Sequence, residues 1–202
     1  MSRHKFQTEV SRLLGLIIHS LYSHPEIFLR ELVSNASDAL DRLKYLTLTD
    51  EQYKGYAFMP RIEIAFDTKE AQWLSVSDTG IGMNADDLER ELGTIANSGT
   101  RQFLESLSED AQKASNLIGQ FGVGFYSCFM VADTVEVLSR RAGEDKVWRW
   151  TSDGKGEFEI QEAEGKQQGT KVTLRLNERG KEYASRWRIE GIVRKYSNHI
   201  AF

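Results

Sequence analysis

One cysteine, Cys128, stands in 202 residues, so no internal disulfide is possible, and a reducing compartment is compatible with the sequence. It lies in the apolar run Phe125–Val131, which predicts a buried structural thiol rather than a reactive one. The four histidines (His4, His19, His24, His199) and this cysteine fall into no zinc-ligand spacing. Only two prolines occur, and no low-complexity run, which leaves little room for long linkers. There is no basic excess: the net charge is -4, against the strongly positive balance of a dedicated nucleic-acid-binding domain. A local basic cluster (Arg175, Arg179, Lys181, Arg186, Arg188, Arg194, Lys195) is diluted by Glu178, Glu182 and Glu190 and reads as a solvated surface. The longest apolar run, Leu13 to Ile18, is far too short to span a bilayer. Met1 to Lys5 leads into an amphipathic stretch, not a secretory signal, so the triplet Asn35-Ala36-Ser37 is read as chance rather than as a glycosylation site. The usual nucleotide and hydrolase loops are missing as well. Gly119 to Gly124 has the glycine spacing of a Walker phosphate loop, but Phe125 and Tyr126 stand where Lys and Ser/Thr are needed. No G-x-G-x-x-G opens a helix after a strand, and no G-x-S-x-G is present.

What is present is an ordinary globular composition, 40% apolar and 28% charged, at a length of about one domain. Apolar residues at helical spacing predict a helix from about Thr8 to Ser20, and a second from Pro25 to about Tyr45. Alternation predicts strands at 61–66, 73–77, 134–139, 147–151, 157–161 and 170–176, the last four as an antiparallel meander. Short helices are predicted at Ala85–Leu92 and Phe125–Val131, and a longer one from Glu182 to about His199. Glycines cluster at both ends of residues 93–124 around a polar middle, the composition of a movable flap. The whole predicts an α+β two-layer sandwich, a mostly antiparallel sheet covered on one face by helices.

Three local patterns carry chemistry. Glu31, Asn35, Asp38 and Arg42 recur at i, i+4, i+7 and i+11, within about 60° of one another on one helix. Alone, this stripe is equally a solvated face stabilised by an Asp38–Arg42 pair. Yet the helix is apolar or small on its other sides, so its polar groups need partners. Asp78-x-Gly80-x-Gly82 ends a strand; it is either a capped glycine turn or a place where a flat ligand lies on the backbone while a carboxylate accepts its amino group. Gly119-Gln120-Phe121-Gly122-Val123-Gly124-Phe125 enters a helix; its backbone N–H groups and dipole suit a phosphate, though positive φ angles alone also explain the glycines.

In this order the three patterns resemble the ATP-binding superfamily of gyrase, histidine kinases, MutL and heat-shock protein 90. The stretches Phe28 to Leu40, Leu92 to Thr100, Gly119 to Ser127 and Trp150 to Gly154 are similar to the N-terminal domain of bacterial heat-shock protein 90 chaperones. The resemblance spans essentially the whole chain. It implies a Bergerat-type fold, with residues 1–202 as one N-terminal ATP-binding domain and a lid at about 93–124. It also implies ATP/ADP and Mg²⁺ as cofactors and a slow ATPase driving a chaperone cycle.

Residue by residue, the resemblance makes Glu31 the base that activates water and Asn35 the Mg²⁺ ligand. It makes Asp78 the acceptor of the adenine amino group. Gly82, Met83, Ala39, Val137 and Thr170 line the base pocket, with Asp38 nearby, and Val123, Gly124 and Phe125 meet the phosphates with Gln120 and Gly122. Asn97, Ser98 and Gly99 belong to the lid. Two positions depart from the pattern: Glu91 replaces an Asn and is expected to turn outward, and Asn97 replaces a Lys or Arg that often reaches the phosphates. The family's catalytic arginine comes from a middle domain beyond residue 202, so the chain is expected to be a monomeric, very slow ATPase by itself. The longer protein is expected to be a cytoplasmic homodimer that meets clients and co-chaperones, with no nucleic-acid or membrane partner. A histidine-kinase catalytic domain and a non-hydrolysing nucleotide sensor are the competing classes; the first lacks the Gly93 to Gly99 motif, and Glu31 argues against the second.

Overall fold

The computed structural model describes residues 15, 24–56, 58–94, 123–165 and 168–200. The predicted first helix and residues 95–122 of the predicted flap lie outside these, apart from Gly15.

Helix α1 (Ile27–Thr49) starts just after Pro25 and buries Leu29, Leu32, Val33, Ala36, Leu40 and Leu43, one apolar stripe at helical spacing. It runs past Tyr45 to Asp50, whose N–H closes on the Leu46 carbonyl at 2.9 Å. There the backbone becomes extended, and the Asp50 carboxylate accepts from Gln52 N–H to start a 3-10 turn. Helix α2 (Ala85–Leu92) begins at a capping box, in which Asn84 and Asp87 each bind the other's backbone N–H.

Strands β1 (Ile62–Phe66), β2 (Trp73–Asp78), β3 (Ala132–Arg140), β4 (Val147–Ser152), β5 (Phe158–Ala163) and β6 (Gly169–Leu176) form one sheet in the order β1-β2-β6-β3-β4-β5. Every pairing is antiparallel. The predicted meander therefore holds only for β3, β4 and β5; β6 leaves it and inserts between β2 and β3. The reason is burial. Leu174 and Leu176 of β6 are buried, whereas β5 is exposed along most of its length and carries Glu159, Gln161 and Glu162, which suits an edge.

The register lines up side chains in rows across one face. Ile64, Val76, Val172, Val137, Trp150 and Ile160 make an unbroken apolar row from edge to edge. The row beside it begins Phe66, Leu74, Leu174, Val135. The opposite face carries Glu63, Ser77, Lys171, Leu138 and Arg149 in one row and Ala65, Ser75, Thr173, Glu136, Thr151 and Glu159 in the next, with Arg149 and Glu136 paired at 3.4 Å. Helices therefore cover only the apolar face. Phe28, Leu29, Leu32 and Val33 of α1, Leu88 of α2, and Ile189 and Ile192 of helix α3 (Arg186–Tyr196) join the sheet in one core. Each fully buried Leu or Phe there contributes about 1.5–3 kcal/mol.

The short helix predicted at Phe125–Val131 is a 3-10 helix, Gly124–Met130. The Ser127 hydroxyl donates to the Gly124 carbonyl, the acceptor that the next α-helical turn would use. Cys128 is fully buried in this turn, and burial pushes its thiol above the usual range. Much of the basic cluster is paired: Arg186 meets Glu190 at 2.7 Å, Lys195 meets Glu26 at 2.9 Å, and Lys181 and Arg188 meet Glu178 and Glu182. Among the described residues, no helix is long and apolar enough to cross a membrane.

Candidate functional site

The third row on the covered face breaks the apolar pattern: Asp78, Thr170 and Ser139 lie directly across from one another on β2, β6 and β3. Asp78 and Ser139 are buried, and Thr170 is half-buried. The Asp78 carboxylate accepts from the Gly80 N–H at 2.8 Å and from the backbone N–H of Thr170. Burial outweighs both bonds and pushes its pKa up to about 7.

The turn after Asp78 is fixed from both sides. Ile81 N–H donates to the Ala39 carbonyl of α1 at 3.1 Å, and the Ile81 carbonyl accepts from Ala142 N–H at 2.7 Å. Gly82 has a φ of +67°, and a Cβ there would stand 2.0 Å from the Arg140 carbonyl oxygen, so only glycine fits. Met83 then reaches the sheet, its N–H donating to Ser139 Oγ at 2.8 Å. Ala39 thus stands at the turn that follows Asp78, and Gly82 and Met83 stand at the Arg140 and Ser139 end of the row. Val137, expected in the same wall, is fully buried in the apolar row beneath.

The polar stripe of α1 runs from this end toward the glycine-rich turn. Asp38 is buried and Asn35 is exposed. Glu31, at the far end, lies against Gly124: a Cβ on that glycine would stand 2.0 Å from Glu31 Oε2. Arg30 Nε donates to the other carboxylate oxygen of Glu31 at 2.9 Å. From Glu31 to Ala39 the helix rises about 12 Å. Val123, which precedes the 3-10 helix, places no side-chain cap on its first N–H groups. The Phe125 side chain is buried edge-on against Trp150, so it is the backbone of this stretch that can meet a ligand. Asn97, Ser98, Gly99, Gln120 and Gly122 lie outside the described residues.

Glu91 does not turn outward. Its side chain keeps 19% of its surface and faces Arg42 of α1 at 3.9 Å and Arg90 at 3.3 Å. Burial pushes its carboxyl above the usual range, against the pull of Arg42. Beside it, burial also raises Asp87, but hydrogen bonds from Arg141 and Arg90 outweigh that and hold its carboxyl below the usual range.

Ser139 is the site residue that the motifs do not reveal. Its signal is present in the sequence as one serine continuing the inward series Val135, Val137 at a spacing of two. The assembled groups offer a carboxylate acceptor at one end of a cleft. At the other end stand backbone donors, a second carboxylate on α1, and an exposed amide oxygen one helical turn from that carboxylate.

Comparison with known proteins agrees with this geometry. The family model for histidine kinase-, DNA gyrase B-, and HSP90-like ATPases matches residues 22–173. The "Chaperone protein HtpG" of Treponema denticola is 58% identical over 213 residues, covering 100% of this chain and 33% of that protein. Its namesake from Helicobacter hepaticus is 60% identical over 201 residues, covering 100% and 32%. That of Campylobacter jejuni (strain RM1221) is 59% identical over 198 residues, covering 98% and 32%. The chain thus spans about a third of the length of the curated relatives it matches. With the match spanning the strands and helices that build the cleft, the chain belongs to the histidine kinase-, DNA gyrase B-, and HSP90-like ATPase family.

Proposed function

We propose that this cleft binds ATP and Mg²⁺ and hydrolyses the nucleotide slowly, as the N-terminal ATP-binding part (residues 1–202) of a chaperone. The observation that carries the proposal is Asp78, a buried carboxylate with backbone N–H partners, set at one end of the α1 stripe with Glu31 over Gly124 at the other. Adenine donates its amino group to Asp78 and lies against Met83 and the Gly80–Gly82 backbone. The phosphates meet the backbone at Val123 and Gly124. Asn35 suits Mg²⁺, because its exposed amide oxygen supplies one ligand and the phosphates and water supply the rest. Glu31, a helical turn away, takes the proton of the attacking water. The chaperone role rests on the relatives' name. Clients, co-chaperones, a homodimer for the longer protein and a cytoplasmic setting are what the family resemblance implies.

Turnover tests the proposal. Among the described residues of the matched motifs, Arg30 is engaged by Glu31 and Arg42 faces Glu91, so the cation for the transferring phosphate is expected from the downstream sequence; such an arginine is worth about 10³–10⁵ in rate in other nucleotide hydrolases. The chain alone is therefore expected to be monomeric, to bind ATP and to hydrolyse it very slowly, with a large gain when the downstream sequence of the longer protein is restored. Equal rates for the two would contradict a missing arginine and turn attention to Arg42 or Arg101.

The Asp78 pKa gives a second expectation. In the free protein it lies near 7, above the ordinary 3.8. Protonated Asp78 therefore contributes stability that is fully present below the ordinary value and is lost as pH rises through about 7. An amino group donating to the carboxylate favours the ionised form, so binding releases a proton near neutrality. Affinity for adenosine, which has no titrating phosphate, is expected to rise about tenfold from pH 6 to pH 8. Calorimetry in buffers of different ionisation enthalpy reads the released proton; a flat profile would contradict this role for Asp78.

A further inference from the structure

Ser139 carries none of the proposed chemistry itself, yet its hydroxyl is fully engaged. It accepts from Met83 N–H at 2.8 Å, donates to the Gly169 carbonyl at 3.2 Å, and lies 2.8 Å from Thr170 Oγ1. A serine hydroxyl has one proton and two lone pairs. If its proton goes to Gly169, one lone pair takes Met83 N–H and the other takes the Thr170 hydroxyl proton, and the four groups make three hydrogen bonds. If its proton goes to Thr170, the Gly169 contact is lost and only two remain. Ser139 is 2% exposed, so water does not replace the missing partner. The first arrangement wins. Thr170 then points its proton inward, and its lone pairs face the cleft beside the Asp78 carboxylate.

We infer that Ser139 is a positioning residue for base selection: by holding the Thr170 proton, it keeps Thr170 an acceptor toward the cleft, so that beside the ionised Asp78 carboxylate the site takes a 6-aminopurine and rejects a 6-oxopurine. This rests on adenine lying at Asp78. A 6-amino group meets acceptors with N–H; a 6-oxo group meets them with lone pairs. Without Ser139 the Thr170 hydroxyl turns, and its proton becomes available to a 6-oxo group.

The test is the ratio of dissociation constants for IDP and ADP at pH 8, where Asp78 is ionised, obtained by calorimetric displacement. Ser139→Ala is expected to lower that ratio about fivefold or more, the worth of one misdirected hydrogen bond. Ser139→Thr, which restores a hydroxyl, is expected to keep the wild-type ratio. In a Thr170→Val background, Ser139→Ala should change the ratio no further. If Ser139→Ala weakens both nucleotides equally and leaves the ratio unmoved, the residue is merely structural and the proposal falls. If that variant does not fold, Thr170→Val decides, since an unmoved ratio there overturns the proposal as well. Asp78→Asn run alongside separates the two levels. Undiminished ADP binding in that variant removes the adenine anchor and this proposal with it. Lost binding there, with an unmoved ratio in Ser139→Ala, overturns this proposal alone.

Discussion

Replacing Glu31 with alanine is expected to leave ATP bound while slowing its hydrolysis about 10²–10⁴-fold, the usual worth of a positioned general base. The expectation follows from where the carboxylate lies. It projects from α1 over Gly124, the first residue of the 3-10 helix, with 18% of its side-chain surface open. Such a carboxylate can reach a water beside the terminal phosphate without touching the base, which lies at the Asp78 end about 12 Å along the helix. Alanine removes the base and adds no atom toward Gly124, so the turn keeps its path. Phosphate release should be followed in the longer protein, which is proposed to supply the missing arginine, and binding in both forms. Unchanged turnover with normal binding would place the base elsewhere.

Much of this arrangement is legible in the sequence because it is local. The α1 stripe follows from side chains recurring every three to four residues. The strand ending at Asp78 and the turn after it follow from alternation meeting glycines. The capping box at Asn84–Asp87 lies within one turn of chain. What the sequence hides depends on residues far apart along the chain. The strand order depends on β6 finding β2 and β3, and neighbouring strands with short turns suggest a meander just as well; only the contrast between Leu174 and Leu176 and the polar β5 favours the centre for β6. Ser139 joins the site through Met83, 56 residues earlier. Glu91 looks like a surface carboxylate on a charged helix until Arg42 is found across from it at 3.9 Å.

Asp78→Asn tests the central claim, that adenine is held at the end of β2. In the wild type two backbone N–H groups, from Gly80 and Thr170, donate to the carboxylate, and the amino group of adenine makes a third donor. A carboxylate has lone pairs for all three. An asparagine has one acceptor oxygen and one NH₂. Turned toward the backbone, the oxygen leaves NH₂ facing the adenine amino group; turned toward adenine, it leaves NH₂ facing the two buried N–H groups. Either orientation sets donor against donor. The loss of a charge-assisted bond alone is worth about 1.5–3 kcal/mol, or roughly 10–150-fold in affinity, and the opposed donors add to it. The shape is nearly unchanged, and no apolar contact is lost, so the fold should stand. The decisive measurement is a calorimetric titration of ADP with Mg²⁺ into the wild type and Asp78→Asn side by side, with circular dichroism on both. The account predicts binding by the wild type, none detectable in the variant, and the same fold in each; near-normal affinity in a folded Asp78→Asn protein would contradict it.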